Sequence, residues 1–448
     1  MFNDEINRKT ITNNFLRISK IPRESGHEGK IADFFVNTAK ENNLYYFKDN
    51  NNNVLIKKKG TSNSKPIALQ AHLDMVCVKG KNSKHDFSKD GIEVIIDGDK
   101  VTAKNTSLGA DQGVGLALML TLLEDNNLNH PNLEFLFTVE EETTFKGAVT
   151  FPYSKVESKS LINLDNSKDD AIFVGSDGDV CNEYCFKGDL IENNLPSYKI
   201  LIDNFPGGNS SEDISLSKDN AITTMANLLK NKEVFIRNIN GGTSENDLAT
   251  SCEVIINTNL DVYAIFKNIS AKIENIDNEV SFSLEDTNKI INEILELQCG
   301  YITDNLASAN LGVISTNKSE VKIYYVFRSM ESYELEKINI NTKSLKNDFI
   351  VKEIYTDPIW KVNSNSIMSK KYKEIYFEEY SNYPKEEIFH GAIECSSIKK
   401  RIDGLDIISI GSIIRKYHTI DEVTYISSWI KIYKLLIQFL EAFAEDNF

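Results

Sequence analysis

Three apolar runs in the first 165 residues each lead into an acid or an imidazole, and this ordering constrains the fold more than any other feature. The run 67–73 contains His72 and is followed by Asp74. The run 133–139 ends at Glu140-Glu141-Glu142, and 160–165 ends on Asp165. Continuous apolar runs of this length read as strands buried on both faces. Helical patterns at 7–19, 29–43 and 114–123 alternate with them, and 92–96 and 101–104 flank the hairpin signal Asp97-Gly98-Asp99. That alternation predicts an α/β unit with a mostly parallel sheet covered by helices.

The pattern changes near residue 190. Strand signals at 198–203, 234–238, 252–257 and 280–284 surround helical signals at 221–229 and 262–274, which predicts an α+β layer. A helix at 290–298, a hairpin over 310–328 and a strand at 349–355 follow. The buried-strand signal returns at 407–410, then comes His418, then a long closing helix at 425–443. An imidazole needed by an N-terminal site but found near the C-terminus implies an insertion. The expected division is therefore 1–190 and 381–448 for one domain, with 191–380 inserted.

His72, Asp111, Glu142, Asp165 and His418 form a mixed nitrogen and oxygen donor set. Such a set suits a pair of zinc ions, with cobalt or manganese as substitutes. His72 and Asp74 are two apart at a strand end, so their side chains share a face and Asp74 can orient the imidazole. Asp111 lies in Ser107-Leu108-Gly109-Ala110-Asp111-Gln112-Gly113, where glycine lets backbone approach closely and a helix start favours a carboxylate. Three contiguous glutamates repel one another unless cations neutralise them. His27, His85 and His130 have no such context and read as structural.

Composition excludes several alternatives. The chain of 448 residues carries Lys+Arg 50 against Asp+Glu 66, a net charge of −16. This balance disfavours nucleic acid and anionic membranes as partners. No secretory signal and no bilayer-length apolar run is evident. Six sparse cysteines point to reduced thiols and a cytoplasmic setting. Cys181 and Cys185, the one close pair, lack the second pair or histidine of a zinc knuckle and read as buried thiols.

Taken together, the motifs resemble the aminoacyl-histidine (Xaa-His) dipeptidase group of cytosolic dinuclear-zinc metallopeptidases. The resemblance runs from Ile21-Pro22-Arg23-Glu24-Ser25-Gly26 to the His418 region and rests on three stretches in particular. These are Gln70-Ala71-His72-Leu73-Asp74-Met75, Thr106-Ser107-Leu108-Gly109-Ala110-Asp111 and His390-Gly391-Ala392-Ile393-Glu394-Cys395. It implies a metal-bearing catalytic domain, an inserted lid and a small peptide as substrate, and it is compatible with a homodimer. It makes Asp111 the bridging carboxylate, Glu141 the general base and Glu142 a ligand; a register shifted to Glu140 and Glu141 stays open. It gives Asp165 and His418 the remaining metal contacts and Asp74 the orienting role. Asn209, Asn246, Arg328, His390 and Glu394 fall at substrate-contact positions.

Three departures stand out. The family lid carries Gly-Gly-His-Ser-Gly where this chain has Gly207-Gly208-Asn209-Ser210-Ser211. Glu245 replaces an arginine, and Ser176-Asp177 replaces a Cys-Ala pair. Two other readings remain: an N-acyl amino acid deacylase with the same metal chemistry, and a non-catalytic binding protein that kept the fold. A protein without chemistry has no need for both a base and a full ligand set, which argues against the second.

Overall fold

The strands Ile67–His72 and Leu133–Thr138 are buried along their entire length, so the sheet they share must be covered on both faces. The computed structural model describes residues 4–62, 64–303, 307–344 and 348–445. Its eight-stranded sheet runs Tyr45–Lys48, Val54–Lys58, Leu133–Thr138, Ile67–His72, Ser160–Asn163, Asp406–Ser409, Ala171–Ser176, Lys385–Phe389. The four central strands, Leu133–Thr138 through Asp406–Ser409, are mutually parallel. Tyr45–Lys48 with Val54–Lys58, Val54–Lys58 with Leu133–Thr138, and Asp406–Ser409 with Ala171–Ser176 pair antiparallel. The α/β class with a mostly parallel sheet is therefore borne out at the centre of the sheet, where the site residues lie.

The helices Asp4–Ser19, Gly29–Glu41, Ala110–Glu124 and Ile426–Glu445 contribute to one apolar core with these strands. Ala110–Glu124 is buried on every side, as an apolar sequence without a polar face requires. Phe15 packs on Trp429 with ring centroids 4.8 Å apart, and Phe35 stacks on Phe137 at 4.1 Å. A small four-stranded sheet joins Ile414–Arg415 and Val423–Tyr425 to the hairpin strands Lys100–Ala103 and Val94–Asp97. His418 sits in the loop between the first two.

The chain divides into two units: Met1–Gly175, Lys361–Ile388 and Ile393–Phe448 form the first, Ser176–Trp360 and Phe389–Ala392 the second. The sequence reading placed the boundaries at 190 and 380. Two elements account for the difference. Gly178–Lys187 pairs along its length with Glu320–Ser329 and so belongs to the second sheet. The helix Ile367–Tyr380 buries Met368, Tyr372, Ile375 and Tyr376 in the first core.

In the second unit a nine-stranded sheet has the order Ala271–Ile276, Ser197–Ile202, Cys252–Asn257, Phe235–Gly241, Ala307–Asn317, Glu320–Ser329, Gly178–Lys187, Ile350–Thr356, with Gly300–Thr303 also paired to Ala307–Asn317. Its four-stranded and five-stranded halves meet at Gly241 opposite Ile314. The expected helix over 262–274 is not formed. A single turn, Val262–Ile265, is capped by Asp261, and Ala271–Ile276 is a strand paired with Ser197–Ile202. Cross-strand pairing overrides the local helical pattern there. The expected strand at 280–284 shrinks to Ser281–Phe282, because Ser283 caps the helix Leu284–Glu296 by accepting from the Asp286 N–H. All six cysteines are free, and Cys185 donates to Glu320.

Candidate metal centre

His72 is the last residue of a central parallel strand, and Asp165 comes two residues after the end of the neighbouring one. The strand Leu133–Thr138, on the other side of Ile67–His72, leads into the glutamate run. His72 Nε2 lies 3.2 Å from Asp111 Oδ1 and 3.9 Å from Asp165 Oδ1. His418 Nε2 lies 3.4 Å from Asp111 Oδ2 and 2.9 Å from Glu142 Oε2. Two donor triads result, His72–Asp111–Asp165 and Asp111–Glu142–His418, each with its ligand atoms within 4.8 Å of one another. They share Asp111, one oxygen toward each imidazole. His72, Glu141 and Glu142 satisfy the same distance test.

The backbone around Asp111 is held from afar. Glu422 is buried, and its two oxygens accept the N–H groups of Leu108, Gly109, Ala110 and Asp111 at 2.7–3.3 Å. It thus satisfies donors at a helix start that have no partner within the helix. Gly109 there has φ 67, and a Cβ would stand 2.6 Å from both Arg23 and Met75, so only glycine fits. Arg23 donates to the carbonyls of Leu73, Asp74 and Gly109, tying the His72 loop to the Asp111 loop. The Asp111–Gln112 peptide is cis. Gln112 Nε2 donates to Asp165 Oδ1 at 2.6 Å.

Asp74 has two tasks. Its Oδ1 lies 3.3 Å from His72 Nδ1, and its oxygens accept the backbone N–H groups of Glu141 and Glu142 and the Ser25 hydroxyl. The glutamate run separates accordingly. Glu141 and Glu142 stand among the donors, while Glu140 adopts φ 51 and pairs with Lys146 at 2.6 Å. Glu141 and Glu142 are thus the two glutamates of the run that stand with the metal-type donors, and Glu140 is turned toward Lys146.

Charge dominates the energetics. Burial by itself depresses His72, but Asp111 and Asp74 outweigh it and hold the imidazole well above the ordinary histidine range. Burial is likewise outweighed at His418, by Glu142 and Asp111. Burial raises Asp165 well above the carboxylate range, and repulsion from Asp111 adds to it. Glu141 is raised in the same direction, chiefly by burial, against the pull of His72 and with repulsion from Asp165 and Glu142 adding to it. Buried carboxylates that repel one another are relieved by cations, and the nitrogen and oxygen donors suit borderline divalent ions. The residues present therefore fit a metal pair, with Asp111 shared.

The remaining expected site residues lie elsewhere. In the second unit Arg328 is buried, with Nε 3.0 Å from Asp179, Nη1 donating to Ser210 and Nη2 to Asn246 Oδ1. Asn209 Oδ1 accepts from the N–H and hydroxyl of Ser211, and its residue bridges to Asp247. Asn209, Asn246 and Arg328 thus form one polar cluster. His390 Nδ1 lies 2.6 Å from Asp177 Oδ2, and its Nε2 is 2.7 Å from the Ser308 hydroxyl. Ser308 is opposite Arg328 in register, which places this trio beside the same cluster. Glu394 belongs to the first unit, is fully buried, and accepts from Gln70 and Thr138. Glu422, Arg23 and Gln112 were missed as supporting residues.

No protein-family model matches the chain. The comparisons with solved structures set the fold beside a class of dinuclear metallopeptidases. In overall structure the chain is similar to a dinuclear metal-binding peptidase of the M20 family from Bacillus subtilis, with a TM-score of 0.51 at 12% identity, covering 98% of this chain and 99% of that one. That likeness speaks for the fold. The likeness to one group within the class is stronger. The chain is 28% identical to the cytosol non-specific dipeptidase of Escherichia coli (strain K12) over 95% of its own length and 96% of that protein's. Its structure matches the aminoacylhistidine dipeptidase from Vibrio alginolyticus with a TM-score of 0.74 at 25% identity, over 97% of this chain and 96% of that one. The resemblance to aminoacyl-histidine dipeptidases, and with it the expectation of a peptide-bond hydrolase, is borne out along the chain. Among the described residues no helix is long and apolar enough to cross a membrane.

Both imidazoles must be neutral to ligate, and both are held protonated above the ordinary histidine range in the metal-free cluster. Metal binding therefore releases protons, and affinity rises with pH. Calorimetric titration should show tighter binding at about pH 8 than at about pH 6, with protons released to the buffer. Affinity independent of pH would place the metal on other groups.

Proposed function

We propose that this chain is a dinuclear-metal dipeptidase, cleaving the peptide bond of Xaa-His or a broader range of dipeptides. The observation that carries the reading is the pair of donor triads sharing Asp111, with Glu141 beside them. His72, Asp111 and Asp165 would hold one ion, and Asp111, Glu142 and His418 the other; zinc fits this donor set, as do cobalt and manganese. When bound, such a pair supplies Lewis acidity and eases deprotonation of the attacking water.

The chain's own residues do the rest. Glu141 takes the proton of the attacking water and passes it to the amide nitrogen that leaves as an amine. Its raised proton affinity, from burial and from Asp165 and Glu142, favours that uptake. Asp74 orients His72 from behind and fixes the backbone of Glu141, so one carboxylate aligns ligand and base. Asn209, Asn246, Arg328 and His390 are assigned to substrate contacts through the family motifs, with the second unit acting as a lid. Glu394 was assigned with them, and its buried bonds to Gln70 and Thr138 favour a supporting place instead. The cytosolic relative and the sparse thiols support a cytoplasmic enzyme, and a homodimer is part of the same proposal.

A metal-supplemented panel of dipeptides, Xaa-His among them, and N-acetyl amino acids tests this directly. Dipeptides should be cleaved and N-acetyl amino acids left intact; the reverse preference would establish a deacylase, and no turnover of either would point to a binding protein. Glu141→Gln should keep its metal while kcat falls by about 10²–10⁴-fold. Glu140→Gln should stay near the parent, since Glu140 is engaged with Lys146. A dead Glu140→Gln beside an active Glu141→Gln would shift the register by one.

A further inference from the structure

A fully buried polar row crosses the central strands beneath the metal centre. Gln70, Asn163 and Ser409 are register neighbours on three adjacent parallel strands, so their side chains share one face. Ser409 Oγ donates to Asn163 Oδ1 at 2.5 Å, and Asn163 Nδ2 donates to Gln70 Oε1 at 2.6 Å. Gln70 Nε2 donates to Glu394 Oε2 at 2.6 Å, and the Thr138 hydroxyl donates to the same oxygen at 2.7 Å. All five residues are completely buried.

One backbone group sets the direction of the row. The N–H of Asp165 donates to Asn163 Oδ1 at 3.0 Å, and an N–H can only donate. Asn163 must therefore turn its NH₂ toward Gln70, and Gln70 must turn its own NH₂ toward Glu394. The amide orientations, normally ambiguous, are determined by this chain of necessity. The row is anchored two residues before His72 and two before Asp165, and it contacts the Asp165 backbone itself. It makes no such contact to Glu142 or His418. Asp74 holds the backbone of Glu142, and His418 reaches the site from a separate loop with φ 62.

We infer that Gln70 and Asn163 are positioning residues for one of the two metals only, the ion held by His72, Asp111 and Asp165, with Glu394 as the terminal acceptor of the row. This rests on the two-metal reading above. Buried polar groups of this kind must be satisfied together, because a missing member strands its neighbours without a partner. Replacing Gln70 or Asn163 by an apolar residue frees the ends of the two strands that set the His72–Asp165 spacing. The ion held by Asp111, Glu142 and His418 keeps its own supports.

The test is titration of the metal-free full-length protein with Co²⁺, followed by calorimetry and visible absorption. The parent should bind two ions; fewer would sink the two-metal reading itself. Gln70→Met and Asn163→Leu should each keep one ion at parental affinity and bind the other about 10–100-fold more weakly, the usual penalty for lost outer support. Asn163→Asp keeps the oxygen that accepts from Asp165 and Ser409 but loses the NH₂ that donates to Gln70, so it should also weaken that ion and leave the other at parental affinity. Melting of the metal-free forms checks folding, and if Gln70→Met is unfolded the two Asn163 variants decide. Parental affinity for both ions in Asn163→Leu or in Asn163→Asp, or equal weakening of both ions, would overturn the inference.

Discussion

The Asp111 carboxylate, set between two imidazoles, is the contact on which the first unit's site depends. Its oxygens lie 3.2 Å from His72 and 3.4 Å from His418, residues brought from opposite ends of the chain. Carboxylates buried this closely are costly without compensating charge. The surrounding scaffold accepts that cost and holds it in place. Glu422 binds four consecutive N–H groups leading to Asp111, Arg23 joins its loop to that of His72, and Asp74 aligns His72 with the glutamates. Glu422 and Arg23 hold backbone, and Asp74 holds both backbone and the far ring nitrogen of His72, so the donors are positioned from outside the donor set.

The candidate donors were legible in the sequence because they sit at or just beyond features with a clear pattern. Continuous apolar runs announced the central strands, and His72, Glu142 and Asp165 follow them closely. Their supports were not legible, because they act across long separations without a local pattern. Glu422 reaches back more than three hundred residues to the Asp111 loop, and Glu394 meets Gln70 over a similar distance. Nothing around Gln70 or Asn163 marks them apart from other strand residues until register places them side by side. The misread segment 262–274 has the same origin: its strand exists because Ser197–Ile202 offers it an edge.

The second unit holds the departures from the pattern that the sequence resembles. Asn209 replaces a histidine and Asp177 an alanine. Asp177 lies 2.6 Å from His390, giving that imidazole an acidic partner in a cluster that also holds Arg328 and Asn246. The guanidinium of Arg328 is committed to Asp179, Ser210 and Asn246. On the proposed assignment of this cluster to substrate, a carboxylate arriving there would share or exchange these partners.

The central claim is that one carboxylate, Asp111, is shared by two metal ions. Anomalous diffraction at the zinc edge, from crystals of the full chain grown with Zn²⁺, tests it most directly. The account predicts two peaks about 3.5–4 Å apart, one against His72 and Asp165, the other against Glu142 and His418, with Asp111 touching both. A single peak, or two peaks of which only one contacts Asp111, would contradict it.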